Sequence, residues 1–174
     1  MVPGPGNQAA SFEQDPGRWD SMRQFDDIDR KLLALLQEDD RLALAELSRR
    51  VGVAASTIND RIKRLASQGV ISGFHARLDP EKLGLELLAF ILVSWSDPKV
   101  EAAFLKKIRA AEQVLECHHV TGAWNYLLKV RLRNTKDLET FLSGTIKAVR
   151  GVERTETIIT LSTAKETWAL NAPE

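Results

Sequence analysis

Leu44-Ala45-Glu46-Leu47-Ser48-Arg49-Arg50-Val51-Gly52-Val53, followed by Ala54-Ala55-Ser56-Thr57-Ile58-Asn59-Asp60-Arg61-Ile62-Lys63-Arg64-Leu65, is the stretch that decides the fold. Leu44, Leu47 and Val51 recur at helical spacing, and Gly52 follows as a helix-ending residue that tolerates positive φ. Ile58, Ile62 and Leu65 then stripe one face of a second helix, from about Ser56 to Gln68. Two helices joined by a tight glycine turn form the frame of a helix-turn-helix. Upstream, Ile28, Leu32, Leu35 and Leu36 mark a supporting helix. Asp26, Asp27 and Asp29 at its start read as capping and solvated charges. Gly69 stops the last helix, and Val70 to Leu78 reads as a strand or extended linker ending at Asp79-Pro80. Three such helices bury little surface, so a second domain is expected.

Downstream, one pattern occurs twice. Leu87 to Trp95 is an apolar strand, Val100 to Ala111 a helix striped by Val100, Phe104 and Ile108, and Val114 to Val120 a strand. Tyr126 to Arg131 alternates Leu128 and Val130 with Lys129 and Arg131 as a strand. Asp137 to Val149 is a helix, and Val152 to Ser162 a long strand. The order βαββαβ is the ferredoxin-like arrangement, with two helices on one face of an antiparallel sheet. The fold class is therefore α+β: an N-terminal winged-type helix-turn-helix followed by a ferredoxin-like domain. The first strand is apolar on both sides (Leu88, Phe90 and Leu92 against Ala89, Ile91 and Val93). Its uncovered side calls for another subunit.

The boundaries expected are a disordered tail over 1–21, the DNA-binding domain over 22–78 and a hinge over 79–86. The ferredoxin-like domain covers 87–166, and a C-terminal tail 167–174. The opening residues are rich in Gly, Pro, Gln and Asp without apolar periodicity, which favours disorder. Met22, just ahead of the first helix, is an alternative start.

In 174 residues, 24 Lys+Arg balance 24 Asp+Glu. Zero net charge excludes a uniformly basic nucleic-acid binder and leaves a local basic face. One cysteine, Cys117, forbids an intrachain disulfide. The longest apolar run, Leu87 to Val93, is too short to span a bilayer, so no membrane partner is expected. The N-terminus lacks a secretion signal, which points to the cytoplasm.

With Ile58 facing the core, a step of about 100° per residue puts Ser56, Asp60, Lys63 and Ser67 on the opposite face, flanked by Thr57, Asn59 and Arg64. These donors and acceptors suit major-groove base edges, with cations beside them for phosphates. Arg61 lies nearer the core edge, where it orients the helix or reaches the backbone. An ordinary solvated helix face has the same composition; the preceding helix and glycine turn favour DNA.

Cys117-His118-His119 invites a metal or nucleophile reading. Adjacent strand residues point to opposite faces, so at most Cys117 and His119 converge, and a plain half-buried strand is favoured. No phosphate loop, dinucleotide fingerprint or nucleophile elbow is present, and no cofactor or catalytic residue is expected. Thr121-Gly122-Ala123-Trp124-Asn125-Tyr126 is a strand connection whose Gly122 frees the backbone to approach a ligand.

The chain resembles the Lrp/AsnC (leucine-responsive/asparagine-responsive, feast/famine) family of transcription regulators. The likeness begins at Phe25-Asp26-Asp27-Ile28-Asp29-Arg30-Lys31-Leu32-Leu33. It runs through Leu47-Ser48, Val51-Gly52-Val53 and Arg61-Ile62-Lys63-Arg64-Leu65 to Gly69-Val70-Ile71-Ser72-Gly73-Phe74. It resumes at Thr121-Gly122-Ala123-Trp124-Asn125-Tyr126-Leu127-Leu128 and Gly151-Val152-Glu153-Arg154-Thr155-Glu156-Thr157. The resemblance implies double-stranded DNA with a near-palindromic operator, an amino-acid effector, and homodimers assembling to octamers. It makes Gly122, Ala123, Trp124, Asn125 and Tyr126 effector-site candidates. Asn125 stands where many relatives carry Asp, which removes a charge for a ligand's ammonium and predicts weak binding, with apolar or aromatic side chains packing on Trp124. Ala54 stands where many relatives have Ser, so Ser56 is expected to cap a shortened recognition helix.

Two other readings use the same architecture. A siroheme decarboxylase-like enzyme needs clustered His and Arg in one pocket; His118, His119, Arg131 and Arg133 are the candidates, and the intact polar helix face argues against it. A DNA-architectural protein would lack any effector response.

Overall fold

The computed structural model describes residues 25–172, so the tail expected over 1–21 lies outside the described residues. The chain forms two compact units, one of residues up to His75 together with those from Thr167 onward, the other spanning Ala76–Glu166. The C-terminal segment expected as a separate tail thus clusters with the helical unit. The Gln37 side chain holds it there: Nε2 donates to the Leu170 carbonyl at 2.9 Å, and Oε1 accepts the Leu170 N–H at 2.7 Å.

The helical unit contains α1 (Asp27–Glu38), α2 (Leu44–Val51) and α3 (Ala55–Ser67). Asp26 caps α1, accepting the Asp29 N–H at 2.8 Å. Gly52 ends α2 at φ 86°, in the left-handed region that favours glycine. Ser48 Oγ donates to the Val53 carbonyl across this turn at 2.5 Å and fixes it. Leu32, Leu47, Val51, Ile58 and Leu65 meet as the core, one stripe from each helix. Val70 and Ile71 turn back to bond the Leu65 carbonyl at 2.9 and 3.2 Å, and residues 72–78 belong to no helix or strand.

The sheet unit contains β1 (Leu87–Ser94), α4 (Val100–Arg109), β2 (Val114–His119), β3 (Tyr126–Leu132), α5 (Thr135–Phe141) and β4 (Arg154–Ile159). The strands lie in the order β2-β3-β1-β4, all neighbours antiparallel, as a ferredoxin-like fold requires. Ala89, Ile91 and Val93 face Phe104, Ile108, Phe141 and Ile146 in one core. The helix predicted from Asp137 begins earlier, because Asn134 Oδ1 accepts the Asp137 N–H at 3.0 Å and caps it. It ends in a wide π turn over Leu142–Ile146 rather than continuing to Val149. The last strand is shorter than predicted at both ends. Gly151, at φ 96°, lies against Val100, whose Cγ2 is closer than van der Waals contact to where a Cβ would stand.

On the other sheet face, Phe90 pairs in register with Lys129 and Ile158, and Leu92 with Leu127 and Glu156. This face combines apolar Phe90, Leu92, Leu127 and Ile158 with charged residues, among them the nearly buried Lys129, whose Nζ donates to Glu116 at 3.1 Å and to Glu166 at 2.5 Å.

Candidate DNA-binding and ligand-binding sites

α3 presents Ser56, Thr57, Asp60, Lys63 and Arg64 to solvent, with Asn59 and Arg61 half-buried at its flanks. Ser56 does not cap the helix. It lies within the first turn, and the capping position is Ala54, which offers no side-chain acceptor. The first-turn amides therefore point outward without side-chain partners, an arrangement suited to an anionic oxygen.

The two arginines have partners that the sequence did not disclose. Asp29 on α1 is fully buried, contrary to its reading as a solvated charge. Its Oδ1 accepts Arg61 at 2.8 Å and its Oδ2 accepts Arg64 at 2.5 Å, so both carboxylate oxygens are satisfied from α3. Arg61 also donates to Asp26 at 2.7 Å. The Asp29 N–H and the Arg61 side chain hold the Asp26 carboxyl below its ordinary range, and Asp26 in turn raises the Arg61 guanidinium. Arg61 is thus a strut that fixes α3 on α1. Arg64 shares the task while 42% of its side chain remains exposed.

On α2, Glu46 grips two arginines. Arg49 donates Nε and Nη2 to its two oxygens at 2.9 and 2.7 Å, and Arg50 Nε donates to Oε1 at 2.6 Å. These bonds hold the Glu46 carboxyl at about 2. Of Arg49, Arg50, Arg61, Lys63 and Arg64, only Lys63 has no ion pair among the described residues.

In the sheet unit, Gly122 takes φ 103° in an exposed loop, with open space where a Cβ would stand. The loop is stitched to the sheet through Asn125. Its N–H donates to the Val93 carbonyl at 2.9 Å, and its side-chain Oδ1 accepts the Trp95 N–H at 2.9 Å. Asn125 is therefore first a connector between β1 and β3. Trp124 is half-buried, with the Arg154 guanidinium over its ring at 4.4 Å, so one aromatic face expected for a ligand is taken. Tyr126 is buried: its ring stacks on Trp95 and His119, and its hydroxyl donates to Glu101 Oε1 at 2.5 Å. Burial, with Glu101 beside it, pushes the phenol well above its ordinary pKa. Ala123 is exposed and makes no such contact.

Next to this loop lies a cleft of about 210 Å³, lined by Trp95, Ser96, Pro98, Glu101, His119 and Asn125. Of residues 122–126 only Asn125 lines it. Glu101 is the residue that sequence reasoning missed; in the first turn of α4 it looked like an ordinary helix-start acid. Glu116 and His118 pair on the other side of β2, so the Cys117-His118-His119 run does not converge on one point. Cys117 is half-buried among the core residues, and burial pushes its thiol up to about 11. Among the described residues, no three His, Cys, Asp or Glu side chains are grouped to hold a metal, and no helix is long and apolar enough to cross a membrane.

Two family models divide the chain between them: a winged helix-turn-helix DNA-binding domain over residues 25–72, and an Lrp/AsnC ligand-binding domain over 88–170. The chain is 40% identical over 146 residues to the HTH-type transcriptional regulator FL11 of Pyrococcus furiosus, covering 84% of this chain and 95% of the relative. The chain belongs to the Lrp/AsnC family. It is a transcription regulator with a DNA-binding unit and a ligand-binding unit. Among solved structures, the L-Met complex of a transcriptional regulator from Neisseria meningitidis superposes with a TM-score of 0.81 at 33% identity, over 84% of this chain and 96% of that one. A feast or famine regulatory protein from M. tuberculosis, complexed with L-methionine, gives 0.77 at 35%, over 84% and 98%.

Proposed function

We propose that this regulator reads a specific, near-palindromic operator through Ser56, Thr57, Asn59, Asp60 and Lys63, and responds to an α-amino acid bound in the cleft beside Glu101. The carrying observation is the α3 face, where polar side chains able to pair with base edges stand around Lys63, a cation without an ion pair among the described residues. Arg64 adds a phosphate contact with the guanidinium donors that Asp29 leaves over.

The effector reading rests on the cleft's chemistry. An α-amino acid needs an acceptor for its ammonium and donors for its carboxylate. Glu101 uses Oε1 for Tyr126 and keeps Oε2 for an ammonium; the Asn125 amide nitrogen supplies a donor. The L-methionine complexes of two relatives support the same ligand class. The apolar sheet face around Phe90, Leu92, Leu127 and Ile158 supports a homodimer, with assembly to octamers as the family expectation. A two-fold axis then places paired recognition helices in successive major grooves. Its role is regulatory rather than enzymatic, and it acts in the cytoplasm.

Footprinting on the protein's own promoter, with and without each of the common amino acids, tests the proposal. Protection of a two-fold-symmetric site that shifts with one amino acid is expected. No preference over random DNA at moderate salt overturns the operator reading, and protection indifferent to every amino acid overturns the effector reading.

A further inference from the structure

We propose that Glu46 restrains sequence-independent DNA binding by holding Arg49 and Arg50 in intramolecular ion pairs, so that these arginines are phosphate contacts kept in reserve. The inference goes beyond the base-reading face of α3 and rests only on DNA binding by the helix-turn-helix.

In a helix-turn-helix, the helix before the recognition helix crosses the nucleic-acid backbone. Arg49 and Arg50 sit in the last turn of that helix, immediately before Gly52, with 72% and 42% of their side chains exposed. Guanidinium groups in that place suit phosphate oxygens, which match their planar donor fork. Yet a carboxylate one turn back already fills the fork of Arg49 with both oxygens and shares one of them with Arg50. Each guanidinium keeps other N–H donors, but its charge is shared with Glu46 and its position is fixed along α2, so a phosphate must compete with the carboxylate for it. Exposed pairs of this kind are weak, so the restraint is a graded handicap rather than a block.

Arg61 and Arg64 are restrained in the same manner by Asp26 and Asp29, which leaves Lys63 as the cation on these two helices without such a competitor among the described residues. The pairing also fits the balanced composition, 24 basic against 24 acidic residues. Glu46 differs from Asp29 in being dispensable to the core. Its side chain is half-buried on α2 and belongs to no core cluster, so its removal frees two arginines without unpacking α1 from α3.

The test is the salt dependence of binding to a random-sequence duplex, measured by fluorescence anisotropy on the full chain between about 50 and 200 mM salt. Each phosphate neutralised adds about 0.9 to the magnitude of the log K against log salt slope. Glu46→Gln should steepen the slope by about 1–2 and tighten binding about three- to tenfold at the low-salt end. Glu38→Gln removes the same charge from a glutamate without an ion pair among the described residues, and should change the slope by much less. Adding Arg49→Gln and Arg50→Gln to Glu46→Gln should return the slope to the wild-type value or below it. An unchanged slope in Glu46→Gln, or an equal change in Glu38→Gln, overturns the proposal. Failure of the wild-type chain to bind any duplex would instead overturn the DNA-binding reading itself. Circular dichroism and a urea midpoint on each variant separate lost folding from altered binding.

Discussion

Asp29 Oδ2 accepts a 2.5 Å hydrogen bond from Arg64 Nη2, joining the fully buried carboxylate of α1 to the exposed flank of the recognition helix. Arg61 takes the other oxygen, so the charge is shared between two guanidinium groups. Removing Arg64 alone leaves Asp29 paired, and Arg64→Ala should cost about 1 kcal/mol after allowance for its exposure. Removing Arg61 and Arg64 together strands a buried charge and should cost about 3–5 kcal/mol. Urea denaturation with unchanged m values checks both; near-additive small losses would show that Asp29 is resolvated instead.

Lys63→Ala and Asn59→Ala should each weaken operator binding by about 1–3 kcal/mol if they contact bases, with much smaller effects on random DNA. Arg64→Ala should weaken all DNA alike and flatten the salt dependence, as a phosphate contact does. Gel shifts on specific and random duplexes read the difference. Equal losses on both for all three variants would remove base reading from α3.

The helix-turn-helix and β3 were legible because their signals are local: Gly52 between two apolar stripes in the first, and the alternation of Leu128 and Val130 with Lys129 and Arg131 in the second. The burial of Asp29 was not. Asp26, Asp27 and Asp29 look alike in sequence, and the one that is buried is selected by guanidinium groups 32 and 35 residues away. The cleft was hidden for the same reason. Its walls come from the connection after β1, the start of α4, the end of β2 and the loop before β3, and only Asn125 belongs to the loop that composition brought forward. Trp124 read as an open aromatic surface because nothing local indicated that Arg154 would cover it.

Glu101→Gln should weaken amino-acid binding by removing a charge-assisted bond, about 1.5–3 kcal/mol or one to two decades in affinity. Asn125→Asp should weaken it by a similar amount, because one carboxylate oxygen can still accept the Trp95 N–H while the other replaces the amide donor for the ligand's carboxylate with a repelling acceptor. Titration calorimetry on both variants is the measurement. A tightly bound amino acid indifferent to both changes would place the effector elsewhere.

The Lys129–Glu166 pair gives stability a pH window. The Lys129 ammonium lowers the Glu166 carboxyl from its ordinary 4.5, so its stabilisation is complete above 4.5 and disappears as pH falls through the lowered value. Glu166, the largest influence on Lys129, raises its ammonium from 10.5, and that contribution is complete below 10.5 and disappears as pH rises through the raised value. Glu166→Gln should therefore flatten the acid limb of a thermal-melting profile. An acid limb identical to wild type would assign that loss to other carboxylates.

Gly151→Ala should destabilise the sheet unit by about 1–3 kcal/mol, since it combines a left-handed backbone with a Cβ placed on Val100 Cγ2. Coupling it with Val100→Ala should recover part of the loss by removing the collision while leaving the backbone strain. A melting midpoint unchanged by Gly151→Ala would mean that α4 gives way freely at this point.

The Gln37 clamp on Leu170 has a consequence for biosynthesis. The two residues are 133 positions apart in the chain, and the whole sheet unit lies between them. At about 5–20 residues per second of translation, Gln37 waits roughly 7–27 seconds after its own synthesis before its partner is made. The sheet unit is thus an insertion within the helical one, whose C-terminal contacts are the last to be made. A ribosome paused before Thr167 therefore carries an α1 whose Gln37 amide still bonds water in place of Leu170.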